Sequence, residues 1–201
     1  MQSKYNPEAA RAFAQRWAGR GDEKSDTQTF WLEMLGQVLG APNPFELIRF
    51  ERGVKLGHKS FMDAFISSTH VLIEQKSLGV DLDTPQKQSD GTLLTPFRQA
   101  ARYNSMLPYS DRARWIIVSD FARIRVYDME TPEAPPRVVT LANLEQEVDR
   151  LDFLINPKVE SIRKQEEVLS VEAGARISKI YDLLLKNYLD PKSPDTLKSL
   201  N

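Results

Sequence analysis

The chain is predicted to fold as an α/β protein with a mixed central sheet, flanking helices and a helical C-terminal extension. Three observations carry this. Apolar residues recur at helical spacing as far as Leu39, and from Phe45 the pattern changes to that of strands. Trp115-Ile116-Ile117-Val118-Ser119 is a nearly continuous apolar run, as a central strand covered on both faces requires. After Asn156 the chain turns charged, and Ile177, Ile180, Tyr181, Leu184 and Leu185 then trace one helical stripe.

The elements follow in order. Asn6-Pro7-Glu8 reads as an N-cap, a proline at the first helical position and an early acid, with Ala10, Phe13, Ala14 and Trp17 behind them. Ser25 or Asp26 is expected to cap a second helix, which carries Phe30, Met34 and Val38 beside Trp31, Leu35 and Leu39 and stops at Gly40. Residues 45–51 are expected to form a strand, Arg52-Gly53 a turn, and residues 60–66 and 71–76 two more strands joined by a short hairpin connection. Residues 78–95 form a long loop rich in Asp, Gln, Gly and Pro, of the kind that often serves function. Pro96 opens a helix to about Leu107. Strands are expected at 115–119 and 124–128, a short edge strand at 138–141, and helices at 144–153 and about 170–188.

Composition removes several function classes. A chain of 201 residues supports one well-buried core and an appendage. Its 27 basic and 28 acidic side chains give a net charge of −1, so it does not coat nucleic acid by charge alone. With no cysteine, zinc ribbons, disulfide scaffolds and thiol nucleophiles are excluded. Two histidines, His58 and His70, cannot build a His-rich metal cage. The first residues lack the pattern of a secretory signal and no apolar run approaches ~20 residues, which fits a cytoplasmic protein without a membrane span. No phosphate-binding GxxxxGK[ST] is present, and Asn43-Pro44-Phe45 lacks the second proline of the adenine methyltransferase signature.

The informative stretch is Asp63 to Lys76. Asp63 interrupts an apolar strand, and Glu74-Gln75-Lys76 ends another. Alternation puts Glu74 and Lys76 on one face and Gln75 on the other. If the two strands pair, Asp63 approaches Glu74, and two carboxylates and an ammonium meet at one sheet edge. Such a trio suits phosphodiester hydrolysis: two hard oxygen donors for Mg²⁺ and a lysine to orient water or stabilise the charged phosphate. The plainer reading is a carboxylate–lysine salt-bridge network on a wet sheet face. Gln99 and Tyr103 lie one helical turn apart, with Ala100 and Ala101 between them allowing close packing on the sheet. An acid from an early helix, Glu23 or Glu33, is a further candidate. Arg49, Arg52 and Lys55 near Gly57-His58-Lys59, and Arg98, Arg102, Arg112 and Arg114, are two basic groups able to meet phosphates.

Asp63…Glu74-Gln75-Lys76 followed by Gln99-x3-Tyr103 resembles the PD-(D/E)XK nucleases that carry a QxxxY motif. These include RecB-like nucleases and the nuclease domains of type I restriction subunits. With Leu72-Ile73-Glu74-Gln75-Lys76-Ser77, Leu94-Thr95-Pro96-Phe97 and the run from Trp115 to Phe121 leading to Tyr127-Asp128, the chain is similar to the N-terminal nuclease domain of MmeI-like enzymes. Those enzymes fuse a nuclease, a helical spacer, an adenine methyltransferase and a target-recognition domain. The proline of the motif's name is absent; Phe61-Met62 precede Asp63.

The resemblance implies a restriction-endonuclease-like fold. It implies catalytic roles for Asp63, Glu74, Lys76, Gln99 and Tyr103, and a metal held by Asp63 and Glu74, Mg²⁺ with Mn²⁺ as substitute. It implies double-stranded DNA as substrate, transient dimerisation for double-strand cutting, and a longer fused chain whose methyltransferase alone would take S-adenosylmethionine. The expected organisation is an N-terminal helix (1–24), a nuclease domain (25–155) and the start of the helical spacer (156–201). Two other readings stay open: a non-catalytic nuclease-like DNA-binding or scaffold module, and a RecB-like exonuclease.

Overall fold

The computed structural model describes residues 5–55, 59–157, 173–181 and 183–184. Asn6 caps α1 (Pro7–Trp17) by accepting from the Glu8 amide, as its sequence predicts. Helix α2 (Glu23–Glu33) begins earlier than expected. Asp22, not Ser25 or Asp26, is the cap; its carboxylate accepts from the amides of Lys24 and Ser25, while Asp26 turns back to the Asp22 amide. The helix continues as a π-helical turn through Met34–Val38 and ends at Gly40 with φ 73°. Residues 45–51 do not start as a strand. Pro44 seeds a single helical turn, α3 (Pro44–Leu47), because a proline at the first position presets helical φ.

Strand β1 (Ile48–Lys55) follows and runs through Arg52-Gly53, where a turn was expected. It pairs antiparallel with β2 (Lys59–Ile66), which pairs antiparallel with β3 (Val71–Gln75) across Ser67–His70. The 78–95 segment is not pure loop; it holds a small antiparallel pair, β4 (Gln86–Lys87) and β5 (Leu93–Leu94). Helix α4 (Pro96–Met106) is capped by Thr95. Strands β6 (Trp115–Ser119), β7 (Arg123–Asp128) and β8 (Arg137–Thr140) complete a six-stranded sheet in the order β1-β2-β3-β6-β7-β8. The β3–β6 pair is parallel and central; the others are antiparallel. The helix expected at 144–153 is only one α-turn, α5 (Leu144–Glu147), continued as 3₁₀ helix through Val148–Leu154.

Two apolar layers cover the sheet. One packs Phe13, Trp17, Phe30, Trp31 and Met34 against Ile73, Ile117 and Phe121. Rings of this size supply most of the transfer free energy of such a core, ~1.5–3 kcal/mol each when fully buried. Gly21, at φ 143°, packs directly on this layer; a Cβ there would come within 2.2 Å of the Phe121 side chain. The other layer packs Ala100 and Tyr103 of α4, with Leu107 just past its end, against Met62, Phe65, Leu72, Ile116 and Val118. Contacts divide the chain into Met1–Pro157, which includes α1, and Lys158–Asn201. In the second unit residues 173–181 are helical, with Ile177, Ile180, Leu183 and Leu184 exposed; the remainder of the stripe expected over 170–188 lies outside the described residues.

Candidate active site

The site forms where β3 leaves the sheet. The β2–β3 ladder runs as far as Ala64↔Ile73, so Asp63 and Glu74 stand at the next step. There Asp63 replaces the ladder: its Oδ2 accepts from the Gln75 amide at 2.7 Å. Glu74 and Lys76 project to the α4 side, as the alternation predicts, and Lys76 Nζ donates to Glu74 Oε1 at 2.7 Å. Glu74 is fully buried and Lys76 nearly so. The sequence-predicted trio therefore converges, but not on a wet face.

Gln75 projects the other way, into the aromatic layer. Trp31 Nε1 donates to its Oε1 at 2.9 Å, and its Nε2 donates to the carbonyls of Lys76 and Ser119 at 3.0 and 3.1 Å. Every hydrogen-bonding group of the amide is engaged on that side except one lone pair. With the Lys76 amide donating to Ser119 O at 2.7 Å, Gln75 keeps the chain extended one residue past the ladder. Sequence reading placed Gln75 opposite the trio without giving it a task.

Burial, reinforced by the Asp63 charge, pushes the Glu74 carboxyl up to about 8 against the pull of Lys76. Burial likewise lifts Asp63 to about 6, opposed by Lys76 and by the Gln75 amide. Burial alone would lower Lys76, but Glu74 and Asp63 outweigh it and hold the ammonium charged.

Of the two early acids, the structure separates one from the other. Glu33 is taken by Trp17 Nε1 and Arg16, both at 3.0 Å, away from the trio. Glu23 opens α2 and its Oε1 lies 3.4 Å from Lys76 Nζ. The start of α2 is fastened to the end of β3: the Glu23 amide donates to Ser77 Oγ and the Leu78 amide to Gly21 O, both at 2.9 Å. Glu51 joins them; with Glu23 and Asp63 it lines a cleft of about 330 Å³. Glu51 was not singled out in the sequence, where no local pattern marks it.

Gln99 Nε2 donates to the Tyr103 hydroxyl at 3.2 Å, and α4 packs on β3 and β6. Tyr103 is buried, which raises its hydroxyl pKa; Gln99 opposes this, and Glu74, Asp63 and Lys76 all act on it. The arginines grouped by sequence separate. Arg102 pairs with Asp90, Arg114 with Asp128 and Glu130, and Arg112 donates to the carbonyls of Leu107 and Ser105. They brace loops, because each meets an acid or carbonyl that folding places beside it. His70, at φ 52°, bonds Arg112 O through Nδ1 and its carbonyl accepts from Arg114 and Trp115. His58 lies outside the described residues.

The residues fit a divalent cation. Glu74 Oε2 is buried without a hydrogen-bond partner among the described residues, next to a second carboxylate. A buried unpaired carboxylate oxygen is costly unless something positive completes it. No group of three or more His, Asp or Glu side chains among the described residues could hold a metal ion. Two carboxylates suit a hard divalent cation that keeps several waters as its remaining ligands.

A mixed sheet with helices on both sides, and an Asp…Glu-x-Lys trio at the end of its central parallel strand, define a restriction-endonuclease-like fold. The family model described as MmeI, N-terminal domain, matches residues 8–187, and the chain belongs to that family, a nuclease-like domain of restriction–modification enzymes. No curated protein and no solved structure matches the chain. No helix among the described residues is long and apolar enough to cross a membrane.

Proposed function

We propose that this chain is the metal-dependent DNA endonuclease domain of a fused restriction–modification enzyme. The observation that carries the reading is the unpaired, buried Oε2 of Glu74 beside Asp63 and Lys76. A purely structural salt bridge would satisfy both carboxylate oxygens or leave them in water.

Asp63 and Glu74 would hold a Mg²⁺ ion, with Mn²⁺ as substitute. When bound, the ion lowers the pKa of its water and neutralises charge on the phosphate. Lys76 stays protonated at neutral pH and supplies a positive charge to the phosphoryl oxygens. Glu23 Oε1 also lies 3.4 Å from Lys76 Nζ, so the ammonium would keep a partner with Glu74 engaged by a cation. Gln99 and Tyr103 bond each other, and Glu74, Asp63 and Lys76 act electrostatically on the tyrosine hydroxyl, which supports a role for the pair beside this centre. Gln75 fixes the backbone that carries Lys76. The substrate is double-stranded DNA, and two copies meeting transiently on it would cut both strands. A methyltransferase and target-recognition region elsewhere in the fused protein would supply S-adenosylmethionine binding and sequence choice.

Cleavage of closed circular DNA with Mg²⁺ tests this and separates it from an exonuclease, which needs an end. Asp63→Ala and Lys76→Ala should each lower the rate by about 10³-fold or more. Mn²⁺ should raise the melting temperature of the wild type and not of Glu74→Gln. Retained cleavage in either alanine variant, at matched protein and metal, would rule the assignment out.

A further inference from the structure

Two clefts open along β1, and Phe50 lines both. One is the acidic cleft of Glu23, Glu51 and Asp63. The other, about 580 Å³, is lined by Arg49, Arg52, Ser67, His70 and Ser110, and the site described above does not use it.

Its composition follows from one backbone irregularity. Arg49 and Arg52 are three residues apart, so regular alternation would send them to opposite faces of the sheet. Glu51 between them has φ 50°, and no ladder pair joins it to Asp63 although Phe50↔Ala64 and Arg52↔Met62 do pair. The kink turns Glu51 into the acidic cleft and lets both arginines line the other one. A left-handed glutamate is strained, and such strain concentrates at working sites.

The cleft is built to take an anion. Arg52 is set in place by a 2.6 Å bond from Nη2 to Asp111 and by stacking 4.7 Å over Phe65. Arg49 Nη1 donates to Phe45 O at 2.8 Å. Each guanidinium has five N–H donors, so these single contacts orient it and leave donors over. His70 Nδ1 faces the Arg112 carbonyl at 3.0 Å; a carbonyl only accepts, so Nδ1 carries the proton and Nε2 is left for a ligand or water. The hydroxyls of Ser67 and Ser110 add polar groups. Asp111 is the one acid in the lining, and Arg52 and Ser110 both bond it.

The register gives the anion its source. Arg52 stands opposite Met62 and Arg49 opposite Phe65, so the two arginines bracket the position of Asp63 on the neighbouring strand. Strand residues advance about 3.3 Å each and neighbouring strands lie about 4.8 Å apart, so the two arginines stand within roughly 5–10 Å of the Asp63 position, on the order of one or two nucleotide steps. We propose that this cleft is a phosphate subsite that holds the DNA backbone one or two nucleotides from the phosphate attacked at Asp63 and Glu74. The inference rests on the nuclease reading for that attacked phosphate, but its own evidence is the arginine cleft.

The test is duplex binding by the full 201-residue chain, followed by fluorescence anisotropy without divalent metal and again with Ca²⁺. Arg49→Ala should weaken binding about tenfold at low salt and reduce the slope of log affinity against log salt by about one; Arg49→Lys should restore the slope. Arg52→Gln should act in the same direction, and its melting temperature checks that loss of the Asp111 contact has not unfolded it. Unchanged affinity and slope in a folded Arg49→Ala overturns the proposal. If millimolar inorganic phosphate raises the wild-type melting temperature, Arg49→Ala abolishes that rise, and DNA affinity is unaltered, the cleft takes a free anion and the DNA assignment falls. Neither binding readout needs turnover, so an inert Asp63/Glu74 centre would leave the slope change standing, and an unchanged slope would leave the cleavage reading intact.

Discussion

Glu74 and Gln75 are adjacent, both fully buried, and on opposite faces of β3. Gln75 points into the aromatic layer, where Trp31 and two carbonyls complete its amide. Glu74 points toward α4, where Lys76 meets one oxygen and the other meets nothing among the described residues. One face of the strand end is finished as structure and the other is left unfinished. Folding alone would satisfy both, because an unpaired buried polar atom costs ~1–3 kcal/mol and far more if charged. The asymmetry is what the proposed metal-binding role of the Glu74 face requires.

Exchanging the chemistry of the two positions is the strongest way to break this comparison. Gln75→Glu would set a carboxylate against the carbonyls of Lys76 and Ser119 in an apolar layer. It should cost ~3–5 kcal/mol, the penalty of an uncompensated buried charge, visible as a lower denaturation midpoint. Glu74→Gln, by contrast, should leave metal-free stability at pH 8 equal or higher while cleavage is lost. If both substitutions destabilise equally, the two faces are equivalent and the distinction fails.

Proton linkage sharpens the contrast. Asp63 and Glu74 have folded-state pKa values raised to about 6 and about 8, from ordinary values of 3.8 and 4.5. The folded state thus binds protons more tightly than the unfolded state between these limits. Stability from this source is fully present below about pH 4 and is lost as pH rises through 6 and then 8. Lys76 stays charged throughout and adds no slope in this window. Metal-free wild type should therefore melt lower at pH 8 than at pH 5 relative to Glu74→Gln. A Glu74→Gln curve parallel to that of the wild type would show that Glu74 is not the buried acid at issue.

The smallest expected effect is at Tyr103. Tyr103→Phe keeps the ring that packs on Leu72 and Ile116 but frees Gln99 from its bond to the hydroxyl. Cleavage should fall only a few-fold and stability by ~1 kcal/mol, the worth of one hydrogen bond. Gln99→Ala should lower cleavage more than it lowers the melting temperature. A Tyr103→Phe loss as large as that of Lys76→Ala would promote the hydroxyl to a direct role in the reaction.

What could be read in the chain and what could not follow from range. Residues whose task is set by near neighbours were legible: Asn6 as a cap, Pro96 as a helix start, the alternation at Glu74, Gln75 and Lys76, and the one-turn spacing of Gln99 and Tyr103. The Asp22 cap was missed because Asp22, Ser25 and Asp26 all offer a capping oxygen, and the choice is made by the Gly21 and Leu78 contact with the end of β3. Glu23 and Glu33 were equal candidates until Trp17 and Arg16 claimed Glu33. The pairing of Arg125 with Asp83 and of Arg52 with Asp111 joins residues 42 and 59 positions apart, which local pattern does not encode. Glu51 was missed for a different reason: its kink has no glycine, asparagine or aspartate to announce it.

The parallel pairing of β3 with β6 also sets when the centre comes into being. Residues 76–114 must be looped out before Val71–Gln75 can align with Trp115–Ser119. Closing so long a loop delays the pairing relative to the local hairpins and helices. Glu74 is fully enclosed only in the assembled sheet. The Asp63–Glu74–Lys76 cluster is therefore a late product of folding, and a nascent or partly folded chain holds its carboxylates in water, where they carry ordinary acidity and no organised site.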